Sequence, residues 1–159
     1  MTTELLSWAR ARYSFADDPA RRIIGGTSLG GLTAAFIALR GDLVFGGVLS
    51  QSGAFNYAAP SETEWEGLAR MVTAMPRRAI RFWLDVGSFE EGRPALGDGR
   101  DPGMRVANER LRDALQAKGY EVRLRTFTGG HDFAYWPTTF PEGLIELCAA
   151  APLSDPSSG

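Results

Sequence analysis

The chain has 159 residues, a net charge of −2, and 44% hydrophobic against 23% charged residues. That length and balance fit one globular domain with its own core, over 1–150, followed by a Pro- and Ser-containing tail at 151–159 expected to be disordered. Scattered charges leave no basic stripe for nucleic acid, no apolar run reaches the roughly 18 residues needed to cross a bilayer, and no charged-then-apolar leader opens the chain. The expectation is a cytoplasmic protein without nucleic-acid or membrane partners and without a cofactor or metal.

In chain order, Glu4–Tyr13 has the spacing of an amphipathic helix with Leu5, Trp8 and Ala9 on one face. Arg22, Ile23 and Ile24 read as a short buried strand. Leu29, Leu32, Ala35, Phe36 and Leu39 then recur at helical spacing. Val44–Ser50 predicts a second strand, and Gln51–Ala59 a loop. Ser61 with Glu64 resembles a capping box for a helix running to about Met75, where Pro76 stops it. Ile80–Val86 predicts a third strand, and the Gly- and Pro-rich stretch Glu90–Gly103 an irregular loop long enough to suspect a function. Arg105–Lys118 predicts a helix closed by Gly119, Glu121–Phe127 a fourth strand, and Pro141–Ala150 a last helix. The lone Cys148 falls in that apolar helix and is expected to be packed there. Strand–helix alternation of this kind implies an α/β fold: a mostly parallel sheet with helices on both faces and ligand chemistry at the carboxyl ends of the strands.

Between the first strand and its helix stands Gly26-Thr27-Ser28-Leu29-Gly30, a G-x-S-x-G turn. A sharp strand-to-helix turn lifts the serine hydroxyl into the open, and small residues two before and two after it let strand and helix approach. A serine hydroxyl is a poor nucleophile near neutral pH without a base to take its proton, and that base needs a carboxylate to hold its tautomer. His131 is the only histidine in the chain and follows the fourth strand in the tight turn made by Gly129 and Gly130. Acidic residues follow the third strand. Asp85 lies within the third-strand pattern and reads as structural. Gln51 and Ser52, after the second strand, could line the site or merely form a turn. Trp136 could shape an acyl pocket or sit in the core. Arg93 and Arg100 could hold an anionic substrate or simply meet solvent.

Five segments, GTSLGGL, VLSQSGAF, DVGSFE, VANERLRDAL and GGHDFAYW, occur in an order that resembles the enterochelin esterases and esterase D-like esterases, serine hydrolases of the α/β-hydrolase fold. The resemblance runs from about Arg21 to Leu147. It implies Ser28 as nucleophile, His131 as general base and the backbone N–H of Leu29 as an oxyanion-hole donor. Glu90 matches the family's G-x-x-E placement after Gly87; Glu91 and Asp101 remain alternative acids. The implied activity is hydrolysis of a small-molecule ester, a siderophore lactone or another small acyl ester, through an acyl-enzyme.

In the family's fold several strands precede the elbow strand, and a loop after an early one supplies the second oxyanion donor. Here a single helix precedes it. The expectation is therefore a partial α/β-hydrolase fold lacking the N-terminal strands, the C-terminal portion of a longer hydrolase. Two other readings fit the same residues. One is a noncatalytic or truncated hydrolase-fold fragment that needs a partner or its missing half, pairing or dimerising along the exposed sheet edge. The other is an acyltransferase of the mycolyltransferase type.

Overall fold

The computed structural model describes residues 2–14, 17–57, 66–92 and 101–149. Within them, α1 (Thr2–Arg10) is followed by a short 3-10 turn (Pro19–Arg21) and by four strand–helix units. These are β1 (Ile23–Thr27) with α2 (Leu29–Arg40), β2 (Gly47–Gln51) with α3 (Gly67–Ala74), β3 (Arg81–Gly87) with α4 (Gly103–Ala117), and β4 (Glu121–Phe127) with α5 (Trp136–Ala149). The strands form one sheet in the order β1-β2-β3-β4, every pair parallel. All four carboxyl ends therefore open along the same edge.

The two faces of the sheet are covered unequally. Ile24, Val48, Phe82, Leu84, Val122 and Leu124 point to one side, where α2, α3 and α4 bury them in the main core. Leu49 and Trp83 alternate to the other side, where Leu147 of α5 closes over them. Gly143 of α5 lies against the Trp83 ring, 2.5 Å from Cδ1 to where a Cβ would stand. The central strands β2 and β3 are buried throughout, as a parallel sheet between helices requires.

Several expectations shift in detail. The α2 stripe is rotated: Gly31, Ala34, Ala35, Ala38 and Leu39 face the sheet, while Leu29 and Phe36 are exposed. Small residues let the helix lie close on the glycine-bearing β1, so the large apolar residues turn outward. The last helix begins at Trp136 rather than Pro141. Pro137 occupies its first turn, where a missing N–H costs nothing, and Pro141 sits inside. Trp136, Thr139, Gly143 and Leu147 form the buried stripe of that helix. Cys148, one residue beyond the stripe, is exposed and not packed. Helix α1 keeps Leu5 and Trp8 largely exposed. The Ser61–Glu64 capping box, Arg93, Arg100 and the tail at 151–159 lie outside the described residues.

Strand β1 forms one edge of the sheet. Ser28 N–H donates to Gln51 O at 2.9 Å and Gly47 N–H to Arg22 O at 3.1 Å. Even-numbered residues of β1 thus face β2, and the backbone groups of Ile23, Gly25 and Thr27 point away from the sheet.

The glycines at the elbow have separable roles. A Cβ on Gly26 would stand 2.5 Å from the Gly30 carbonyl carbon, and one on Gly31 would stand 2.3 Å from Ser50 Oγ. A Cβ on Gly30 would meet nothing within 4 Å. The close approach therefore depends on Gly26 and Gly31 rather than on the second glycine of the pentapeptide. We expect Gly30→Ala to leave stability unchanged or higher by up to about 1 kcal/mol, the helix-propensity gain. Gly31→Ala should destabilise by about 1–3 kcal/mol through overpacking. Thermal melts of the two variants check this, and equal losses would contradict it.

Candidate active site

The site is assembled at the carboxyl edge from the residues that follow β1, β2, β3 and β4. Ser28 has φ 54° and ψ −122°, a backbone conformation unfavourable for a side-chain-bearing residue. The turn is held from three directions: Ser28 N–H bonds Gln51 O, Ser28 O accepts from Gly31 N at 3.0 Å, and the same oxygen accepts from Ala54 N at 3.0 Å. Its hydroxyl is left at the N-terminus of α2. The Leu29 N–H belongs to the first turn of that helix, where amides have no intrahelical acceptor.

His131 Nε2 lies 3.0 Å from Ser28 Oγ, and its Nδ1 lies 2.7 Å from Glu90 Oε2. Residues 103 and 41 positions apart are thus joined in one hydrogen-bonded line. The Glu90 side chain is 2% exposed and that of His131 36%. Glu90 Oε1 also accepts from the Gly87 N–H at 2.7 Å and from Ser52 Oγ at 2.6 Å. Two donors and the His131 ring nitrogen thus converge on this one buried carboxylate.

The other acidic residues of this loop are engaged elsewhere. Glu91 is exposed and meets Arg105 at 3.4 Å. Asp101 accepts from Gly103 N and Asn56 Nδ2, each at 2.9 Å, and so ties the start of α4 to the loop after β2. A cleft of about 370 Å³ opens beside His131, bordered by Asn56, Phe89, Asp101 and Met104. Phe89 and Phe133 are 72% and 77% exposed, the two most exposed large apolar side chains at this edge.

Three residues considered for substrate contact lie instead behind the site. Gln51 is buried, and its Nε2 bonds the Trp136 carbonyl and Thr139 Oγ1, both at 2.7 Å, pinning α5 to the sheet. Ser52 is fully buried. Trp136 is 5% exposed; its ring stands edge-on to His131 at 5.0 Å, and its Nε1 donates to Ser52 Oγ at 2.9 Å. Strand-end position alone suggested that Gln51 and Ser52 were near the site, but their depth depends on α5, which sequence periodicity starts one turn too late. In the sequence Gly87 matters only as the start of the G-x-x-E spacing. Its second role, as an amide donor to Glu90, comes from the local turn; a Cβ there would stand 2.4 Å from Gly129 O.

The chain carries part of an α/β-hydrolase fold. The family model described as "Putative esterase" matches residues 1–147, and the chain belongs to that family. The iron(III) enterobactin esterase of Dickeya dadantii (strain 3937) is 32% identical over 139 residues, covering 84% of this chain and 31% of that protein. The crystal structure of the enterochelin esterase from Shigella flexneri superposes with a TM-score of 0.75 at 29% identity, over 93% of this chain and 36% of that one. A ferulic acid esterase shares the fold at a TM-score of 0.72 and 19% identity. The chain spans about a third of the length of the curated relatives it matches. Among the described residues no helix is long and apolar enough to cross a membrane.

One neighbouring group titrates abnormally. Burial pushes the Asp85 carboxyl up from its ordinary 3.8, opposed by hydrogen bonds from Thr139, Gln51 and the Ser52 backbone and reinforced by the charge of Glu90. A carboxyl whose folded pKa lies above its unfolded one stabilises the fold most below the unfolded value, and that contribution is lost as pH rises through the folded value. Asp85→Asn should therefore gain melting temperature relative to the parent as pH rises from about 4 toward neutrality. Parallel melting-temperature curves across that range would show that Asp85 does not titrate this way.

Proposed function

We propose that the chain carries a serine carboxylic-ester hydrolase site acting through an acyl-enzyme on Ser28. The observation that carries this reading is the hydrogen-bonded line Ser28 Oγ–His131 Nε2, His131 Nδ1–Glu90 Oε2, at 3.0 and 2.7 Å. His131 Nε2 takes the hydroxyl proton as Ser28 Oγ attacks the ester carbonyl carbon. The carbonyl oxygen gains the negative charge beside the Leu29 N–H, where an aligned donor contributes about 10²–10³ in turnover. Glu90 accepts from Nδ1–H throughout and stabilises the imidazolium. The C–O bond to the alcohol then breaks, His131 returns its proton to the leaving oxygen, and water repeats the sequence to release the acid. The enterobactin esterase relatives support a substrate among small acyl esters, including the lactone of a catecholate siderophore. Phe89 and Phe133, exposed at the same edge, would offer faces to aromatic rings.

Fluorophosphonate labelling and p-nitrophenyl acetate turnover test this. Label is expected on Ser28 of the parent and on none of Ser28→Ala, His131→Ala or heat-denatured protein. Glu90→Gln should lower kcat by about 10²–10⁴, whereas Glu91→Gln and Asp101→Asn, whose carboxylates point elsewhere, should stay within a few-fold. Folded parent protein that takes no label overturns the reading.

A second reading is favoured by the outward backbone groups of Ile23, Gly25 and Thr27: this is a hydrolase-fold part whose site is completed when another strand pairs along β1. Among the described residues β1 has no strand paired on its outer side, and it contains neither proline nor lysine, which invites such pairing. Sedimentation velocity should then show self-association that grows with concentration. A strictly monomeric chain with full esterase activity would discard this second reading.

A further inference from the structure

Ser52 has a conformation and a depth that a simple turn does not need. It follows β2 with φ 48°, is fully buried, and its N–H donates to Asp85 O at 2.8 Å. Its hydroxyl touches two groups, Trp136 Nε1 at 2.9 Å and Glu90 Oε1 at 2.6 Å. The chemistry of these partners orders every proton between them. An indole nitrogen only donates, so Ser52 Oγ is its acceptor. An ionised carboxylate only accepts, so the single Ser52 proton goes to Glu90 Oε1. Gly87 N–H fills the remaining approach to the same oxygen at 2.7 Å. With Oε1 held by two donors, Oε2 is turned to His131 Nδ1. That nitrogen must then carry the proton, leaving Nε2 unprotonated and able to accept from Ser28.

We infer that Ser52, its proton direction set by the Trp136 indole, is a positioning residue that orients Glu90 and thereby fixes the tautomer of His131. This deepens the reading of Ser28, His131 and Glu90 as an ester-cleaving triad and rests on it. It also gives Trp136 two attachments to the site, one through Ser52 and one through the edge of its ring on His131. Without the Ser52 hydroxyl, Glu90 retains only the Gly87 amide, rotates more freely, and loses part of its hold on the imidazolium. The cost falls on proton transfer and not on substrate binding.

The chain's single histidine makes the test clean, because its imidazole ring signals in an NMR titration belong to one residue. Ser52→Ala should lower kcat for p-nitrophenyl acetate by about ten- to a hundredfold, the worth of a hydrogen bond to a charged group, with KM within twofold. In the same variant the His131 pKa should fall by about half a unit or more, and the acid limb of the kcat/KM profile should move with it. Trp136→Phe keeps an aromatic ring beside His131 and removes the donor, so it should lower kcat several-fold in the parent and cost clearly less in Ser52→Ala, where the donor has no acceptor left. Ser52→Cys, close in volume but a weak donor, should behave like Ser52→Ala and covers the case in which the alanine variant misfolds. A His131 pKa that is unmoved or raised, or fully additive losses from Ser52→Ala and Trp136→Phe, would overturn the inference. If the pKa falls as expected while the parent cleaves no ester, the positioning role stands and the esterase reading fails.

Discussion

The site depends on a turn that the backbone resists. Ser28 at φ 54° costs on the order of 1–3 kcal/mol relative to an ordinary conformation, and it persists because its surroundings over-determine it. Its amide is fixed to β2, its carbonyl accepts from both α2 and the loop after β2, and Gly26 and Gly31 let helix and strand close to a separation that no side chain would allow. Move any of these and the hydroxyl leaves the helix N-terminus. The sheet supplies rigidity on which such strain can rest: β2 and β3 are buried on both faces and paired along their length.

A second strained serine sits one strand over. Ser28 and Ser52 both end parallel neighbours in left-handed conformations, and both aim their hydroxyls at the histidine–carboxylate pair, one from the front and one from behind. The front hydroxyl is half-exposed and offered to reactants, while the rear one is sealed beneath Trp136. Burial separates the two: in the proposed reaction the reachable hydroxyl is the nucleophile, while the fully buried one can only brace the carboxylate. Asp85, one layer deeper, shows what happens without enough donors, since burial dominates and its carboxyl shifts toward the neutral form.

Much of this architecture was legible in the chain. Four strand–helix units could be read because buried parallel strands are short apolar runs and their helices carry periodic stripes; Glu121–Phe127 has the same bounds in both. Less legible was anything set by the close approach of two elements. The stripe of α2 was legible in part: Leu32, Ala35 and Leu39 join the core, but Leu29 and Phe36 are exposed while Gly31, Ala34 and Ala38 take places against the sheet where the gap is narrow. Proline misled the start of α5, since Pro141 looks like a first-turn residue and Pro137 holds that role. Strand-end positions bring Ser28 and His131 to one edge, and the family's G-x-x-E spacing after Gly87 points to Glu90, with Glu91 and Asp101 left open until the loop is folded. The bond from Trp136 to Ser52 did not, because 84 residues separate them and only the docking of α5 brings them together.

The loops of the site are anchored to one another unequally. Ser88 N–H and Phe89 N–H reach across to Phe127 O and Gly129 O, each at 2.9 Å, so the loops bearing Glu90 and His131 are stitched to each other. Ser28 is stitched instead to Gln51 and Ala54. The carboxylate and imidazole thus sit on loops tied directly to each other, whereas Ser28 is joined to that pair from behind only by way of the β2 loop, through the Ser52 hydroxyl on Glu90. Ser52 is therefore also the rivet between the nucleophile turn and the loops that carry the rest of the proposed triad.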